Sequence, residues 1–304
     1  MKLDINNLPK MFDRAAKCHQ TGDLLEARRL YRSILRAIPD QFETLHSLGL
    51  LEAQRGRHKE ALHFIKQALN VNSQSAEANS NPGCVYLEIN RAEEALACFD
   101  KALVISPAYL DAIFNRGNAL RELGRHEAAL VSYDEALSID PQHFSALVNK
   151  SNLLRDLDRY EKALVSLERA HEIQPDAPGV FVNLGIIQRK LSRYEDALLS
   201  YSKALAINPD YADALYGLGN VLQDLGRHEA ALTSYDKALA IKPAYAGALS
   251  SRGVSLQYLN RHDEAVASFK AALVVDPNYV EAHWNLSLIR LNAGQFREGW
   301  EEYE

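Results

Sequence analysis

A proline recurs every 34 residues through most of this chain, at Pro107, Pro141, Pro175, Pro209, Pro243 and Pro277. One step back stands Ser73, and one step further Pro39. A fixed period of this length predicts a row of similar supersecondary units. Each is too small to bury its own apolar face, so each must stack on the next. Counting from these markers places eight full units between Leu8 and Tyr279, and a ninth that runs from Val280 to Glu304.

Other unit positions keep the same beat. Position 8 is always small, as in Gly49, Gly83, Gly117, Ser151 and Gly185. Position 20 is Ala from Ala27 to Ala265, then Gly299. Position 24 is large and apolar, as in Tyr31, Phe99, Tyr133, Tyr201, Tyr235 and Phe269. Within a unit, Ile113, Leu120 and Leu123, then Leu130, Tyr133 and Leu137, recur at helical spacing. That pattern predicts two amphipathic helices, A and B. Small residues allow the pair to approach closely. Position 15 is Gly at 22, 56, 124, 226 and 294 and Asn at 90 and 260, both suited to a left-handed helix C-cap. The recurring proline ends helix B.

Together these positions closely resemble the tetratricopeptide repeat, over Leu8 to Glu304. The resemblance implies an all-α fold, a right-handed α-solenoid superhelix of helix-turn-helix hairpins, with residues 1–304 as a single array. It also implies that helix A lines a concave groove through positions 2, 5, 6, 9, 12 and 13, so the expected function is a scaffold that holds a protein or peptide there. Position 6 carries Asn81, Asn115, Asn149, Asn183 and Asn285, and position 9 carries Asn118, Asn152 and Asn220. An amide side chain both donates and accepts, and Asn is a poor mid-helix residue. Its recurrence at inward positions therefore points to a ladder that clasps an extended peptide backbone. This ladder resembles the one in the superhelical arm of O-linked N-acetylglucosamine transferases. Arg121, Arg155 and Arg189 at position 12 are candidates to meet ligand carboxylates or carbonyls, or else to pair with acids such as Glu122 and Asp156.

Composition and motifs narrow the classes. The chain carries 34 Lys and Arg against 40 Asp and Glu, a net charge of -6, which argues against nucleic-acid binding. Positions 2, 5 and 6 hold no Lys or Arg in full units after the first, so a clamp for acidic C-termini is not expected. Cys18, Cys84 and Cys98 form no metal-type pair and fit a reducing cytoplasm. His58, His126, His228 and His262 lie a unit or more apart, too far to share a metal. By the same resemblance they replace the family's usual aromatic residue at the start of helix B. No nucleophile, phosphate-loop or zinc motif is present, so no catalytic site and no cofactor are expected. No apolar run suits a membrane span.

Two places break the pattern. Pro82 falls inside the third A helix, which predicts a kinked or shortened helix, with Asn81 as a late N-cap. At the other end, AGQFREGWEEYE leaves Trp300 and Tyr303 without a polar capping helix, so the chain is expected to be a fragment or to have this end covered by another domain or protomer. FREGWEEYE and the early segment TLHSLGLLEAQRGRHKEAL resemble bacterial repeat proteins that continue into a glycosyltransferase-like domain, including relatives of O-linked N-acetylglucosamine transferase and SPINDLY. By that resemblance the chain would be a substrate-recognition arm. A self-assembly module joined through the ends is a third reading.

Overall fold

The computed structural model describes residues 7–292, 294 and 296–303. Every regular element among them is helical. In order they are α1 (Leu8–Gln20), α2 (Leu24–Ala37), α3 (Phe42–Gln54), α4 (His58–Val71), α5 (Ala76–Glu88), α6 (Ala92–Ile105), α7 (Leu110–Glu122), α8 (His126–Ile139) and α9 (Phe144–Asp156). The second half continues with α10 (Tyr160–Ile173), α11 (Pro178–Lys190), α12 (Tyr194–Ile207), α13 (Ala212–Asp224), α14 (His228–Ile241), α15 (Ala246–Tyr258), α16 (His262–Val275), α17 (Val280–Asn292) and α18 (Phe296–Tyr303). Odd-numbered helices are the A helices and even-numbered ones the B helices. The A helices begin at the unit starts read from the sequence. The chain divides into two compact units, Met1–Leu153 and Leu154–Glu304, each an all-α solenoid of stacked hairpins. No described helix is long and apolar enough to cross a membrane.

The hairpin seam follows from side-chain size. Tyr31, Phe99, Tyr133, Tyr201, Tyr235 and Phe269 are all fully buried. Each faces the small position 8 of its own hairpin. A Cβ placed on Gly117 would lie 2.7 Å from the Tyr133 ring, and one on Gly219 2.5 Å from the Tyr235 ring. Glycine there lets helix A lie directly on an aromatic ring of helix B, and the close contact replaces hydration with dispersion attraction.

The turn between A and B needs positive φ in every unit. Gly22, Gly56, Gly124, Gly226 and Gly294 adopt it, as do Asn90, Asp158, Ser192 and Asn260. After α7, the Arg125 amide donates to the Leu120 carbonyl at 2.8 Å and the Gly124 amide to the Arg121 carbonyl at 3.0 Å. This is the paired reverse bond of a Schellman cap. Asp158 and Ser192 show that the geometry belongs to the hairpin. The residue that happens to stand there is forced into it.

The late start expected for the third A helix is corrected. α5 has the same thirteen residues as its neighbours and contains Pro82 within it. Ser75, not Asn81, is the N-cap, and its hydroxyl accepts from the Ala78 amide at 3.2 Å. Asn79 donates to the carbonyls of Ser73 and Ser75 at 3.0 and 2.8 Å. These side chains hold the first turn. Proline then removes one backbone donor rather than the whole turn, and its ring is buried.

Candidate functional site

In the first unit the asparagine positions meet one another. Asn149 on α9 donates to Asn118 Oδ1 at 2.9 Å, and Asn118 Nδ2 donates to Asn115 Oδ1 at 3.2 Å. Asn115 Nδ2 reaches Cys84 Sγ at 3.8 Å. The Tyr133 hydroxyl also donates to Asn118 Oδ1, at 2.9 Å. The result is a hydrogen-bonded row across α5, α7 and α9. Burial pushes the Tyr133 phenol up to about 12 and the Cys84 thiol up to about 11, so both stay neutral donors or acceptors in this row. Asn81 lies against His46 Nε2 at 2.7 Å, and burial holds the His46 imidazole below its usual range. Asn152 is half-buried on α9.

In the second unit the row is interrupted. Position 6 of α13 is Gly217, and the Tyr201 ring from α12 fills the place of its missing Cβ. Beside it opens a cavity of about 560 Å³. Asn183, Ile186, Arg189 and Lys190 line it from α11, and Tyr216, Gly217 and Asn220 line it from α13. Tyr211, Asp213 and Tyr245 close one end. Asn220 is oriented from behind, because its Oδ1 accepts from the Tyr235 hydroxyl at 2.9 Å. Its NH2 group has no hydrogen-bond partner among the described residues. The same hydroxyl also lies 3.0 Å from Gln223 Oε1. Burial first, then neighbouring phenols and carboxylates, raises the Tyr201 and Tyr235 phenols far above their ordinary range.

The arginines divide. Arg189 lines the cavity but is held by Asp224 of the next A helix, with N–O distances of 2.5 and 3.1 Å. Arg155 engages the adjacent Asp156 at 2.9 and 3.1 Å. Arg121 is half-buried near the Tyr133 phenol. Asn285 donates to the Glu281 carbonyl of its own helix at 2.7 Å. So Asn115, Asn118 and Asn149 come together in the first unit, and Asn183, Asn220 and Arg189 come together in the second. Asn285 stands apart.

The sequence reading missed Tyr211, Tyr216, Gly217 and Tyr245. Tyr109, Tyr211, Tyr245 and Tyr279 recur on the 34-residue beat, just before helix A. That recurrence was the available signal. Among the described residues, no cluster of His, Cys, Asp and Glu could hold a metal ion. The side chain of Tyr303 lies outside the described residues, and Trp300 is half-exposed.

Comparisons with known proteins agree with this architecture. Models described as "Tetratricopeptide repeat" match residues 19–82, 46–109, 110–143, 144–177 and 212–245. A further model described as "TPR repeat" matches 187–226 and 256–294. Among solved structures the chain is similar to the Cut9–Hcn1 hetero-tetramer of the APC/C, with TM-score 0.65 and 16% identity over 88% of this chain and 52% of that one. It is also similar to PilF of Pseudomonas aeruginosa, with TM-score 0.59 and 22% identity over 68% of this chain and 94% of that one. A MamA RS-1 ArsTM double mutant gives TM-score 0.52 and 22% identity over 56% of this chain and 95% of that one. At these identities the likeness concerns the fold. A search of curated proteins returns no match. Repeat models of one kind cover most of the sequence, and the hairpin geometry has the same period: the chain belongs to the tetratricopeptide repeat family.

Proposed function

We propose that this protein is a scaffold that binds an extended segment of a partner protein along its A helices, and that the α11–α13 cavity is the principal contact. The observation that carries the reading is the cavity itself, which Asn183 and Asn220 line from ladder positions beside Gly217. An extended chain presents unpaired backbone donors and acceptors. Amides fixed on a rigid helix face can meet them with little regard for sequence. The first-unit row bonds internally and supports the helix stack there. The test is selection from a displayed library of random peptides of about ten residues. Wild-type protein should enrich a set of peptides. Replacing Asn183 and Asn220 together by Ala should weaken the enriched peptides by about tenfold, the size of one or two lost hydrogen bonds. The thermal midpoint should move little. Enrichment that is indifferent to both asparagines would contradict the reading.

A second reading, the substrate arm of a larger glycosyltransferase, is supported by the asparagine positions and the FREGWEEYE segment. The mass of the native gene product tests it.

A further inference from the structure

We infer that the tyrosine-walled end of the α11–α13 cavity is a cage for a cationic side chain, a lysine or arginine of the bound segment, with the Asp213 carboxylate as its counter-charge. This rests on the cavity being the peptide site. Tyr211, Tyr216 and Tyr245 all line that end. The Tyr216 and Tyr245 ring centroids are 4.9 Å apart with their planes at 49°. Rings in contact at this tilt form one aromatic wall, and the face it turns to the cavity attracts a cation. Tyr245 already accepts a cation of its own chain, because Lys242 Nζ lies 4.2 Å from the ring centroid.

Glycine makes the room. Position 2 is Asp213 on α13, and the same position on the flanking A helices is Gly179 and Gly247. A Cβ on Gly247 would lie 3.1 Å from the Tyr216 hydroxyl and 3.4 Å from that of Tyr279. A Cβ on Gly179 would lie 3.8 Å from the Tyr211 hydroxyl. The phenols therefore gather where side chains would otherwise stand, around the one carboxylate left at this level. In the first unit, Phe114 and His143 form the matching ring pair at 4.8 Å beside Asp111, but the flanking residues there are Glu77 and Ser145. The open space is specific to the second unit's glycines.

A carboxylate in the first turn of a helix often serves only the helix dipole. Asp213 does more than that. It lies beside Tyr245, whose phenol is pushed up by burial first and then by this carboxylate, and among the described residues it makes no ion pair. Lys242, over the Tyr245 ring, makes no ion pair with Asp213, and the cations that line the cavity leave it unpaired as well. Arg189 is matched by Asp224. Lys190 stands eleven positions beyond Gly179 on α11, about 16 Å by helical rise, and charges farther apart than about 8 Å are largely screened from each other. The chain's charge of -6 also favours a basic partner.

The experiment reads the sequences of the peptides that the wild-type protein enriches from the random library. A Lys or Arg at one fixed register is expected. For a synthetic copy of the best peptide, Asp213→Asn should weaken binding by about tenfold. Replacing the peptide's cation by norleucine should weaken it by a similar factor, and the two changes together should cost little more than either one. Enriched peptides with no fixed cation, or an Asp213→Asn affinity within about twofold of wild type, would overturn the cage and leave the peptide scaffold standing. No enrichment at all would overturn both.

Discussion

Tyr235→Ala should lower the unfolding free energy by about 3–5 kcal/mol, the range for truncating a large buried aromatic. The ring is fully buried and fills the place where Gly219 lacks a side chain. Alanine would leave a void between α13 and α14 that backbone glycine cannot close. Tyr235→Phe keeps the ring and removes only the hydroxyl, so it should cost about 1 kcal/mol. That variant leaves Asn220 Oδ1 and Gln223 Oε1 without their shared donor. In a repeat array the damage stays near its origin, because each hairpin couples mainly to its neighbours. Urea unfolding gives the size of the loss, and hydrogen exchange should place it in α13 and α14. A loss below about 1 kcal/mol for the alanine variant would show that the ring does not hold this seam.

Glu52→Gln should be the second most damaging single change. Glu52 lies on α3 with no exposed surface. Its carboxylate bonds the Arg28 guanidinium from α2. It also faces Arg55 at 3.4 Å and Arg57, the N-cap of α4, at 3.9 Å. One buried anion thus ties three helices of the first unit. Removing its charge leaves three cations crowded around a neutral amide. Breaking a fully buried pair costs about 3–5 kcal/mol. Here the arginine side chains are 16–42% exposed and can turn toward water, so about 2 kcal/mol is expected. Added salt should recover only part of it, since a buried site is weakly screened. A shift below about 0.5 kcal/mol would mean that water already solvates this cluster.

The repeat boundaries were legible because proline, small and aromatic positions each report one packing constraint. The Pro82 helix was legible only in part. Proline's penalty can be read from sequence, but the compensating bonds of Ser75 and Asn79 depend on where those side chains turn. Asp158 and Ser192 carried no left-handed signature of their own, yet the hairpin imposes it on them. The asparagine positions were legible as a pattern. Whether each amide faces a ligand or another amide was not, because that depends on the next helix. Asn118 is engaged on three sides, while Asn220 is fixed on one. Gly217 leaves a gap in the run of asparagines at position 6. In three dimensions that position borders the cavity, and the Tyr201 ring from α12 packs against it. The tyrosines before helix A recur on the beat, but only the folded chain brings Tyr216 and Tyr245 ring to ring.

The central claim is that a partner segment lies across α11 and α13, against Asn183 and Asn220. Nitrogen-correlated NMR spectra recorded with an enriched peptide test it directly through the side-chain amide signals of those two residues. The account predicts that both NH2 groups shift on titration, together with backbone amides of α11 and α13, while α12 and α14 stay largely unchanged. Shifts confined to the B helices, with both asparagine side chains unmoved, would contradict it.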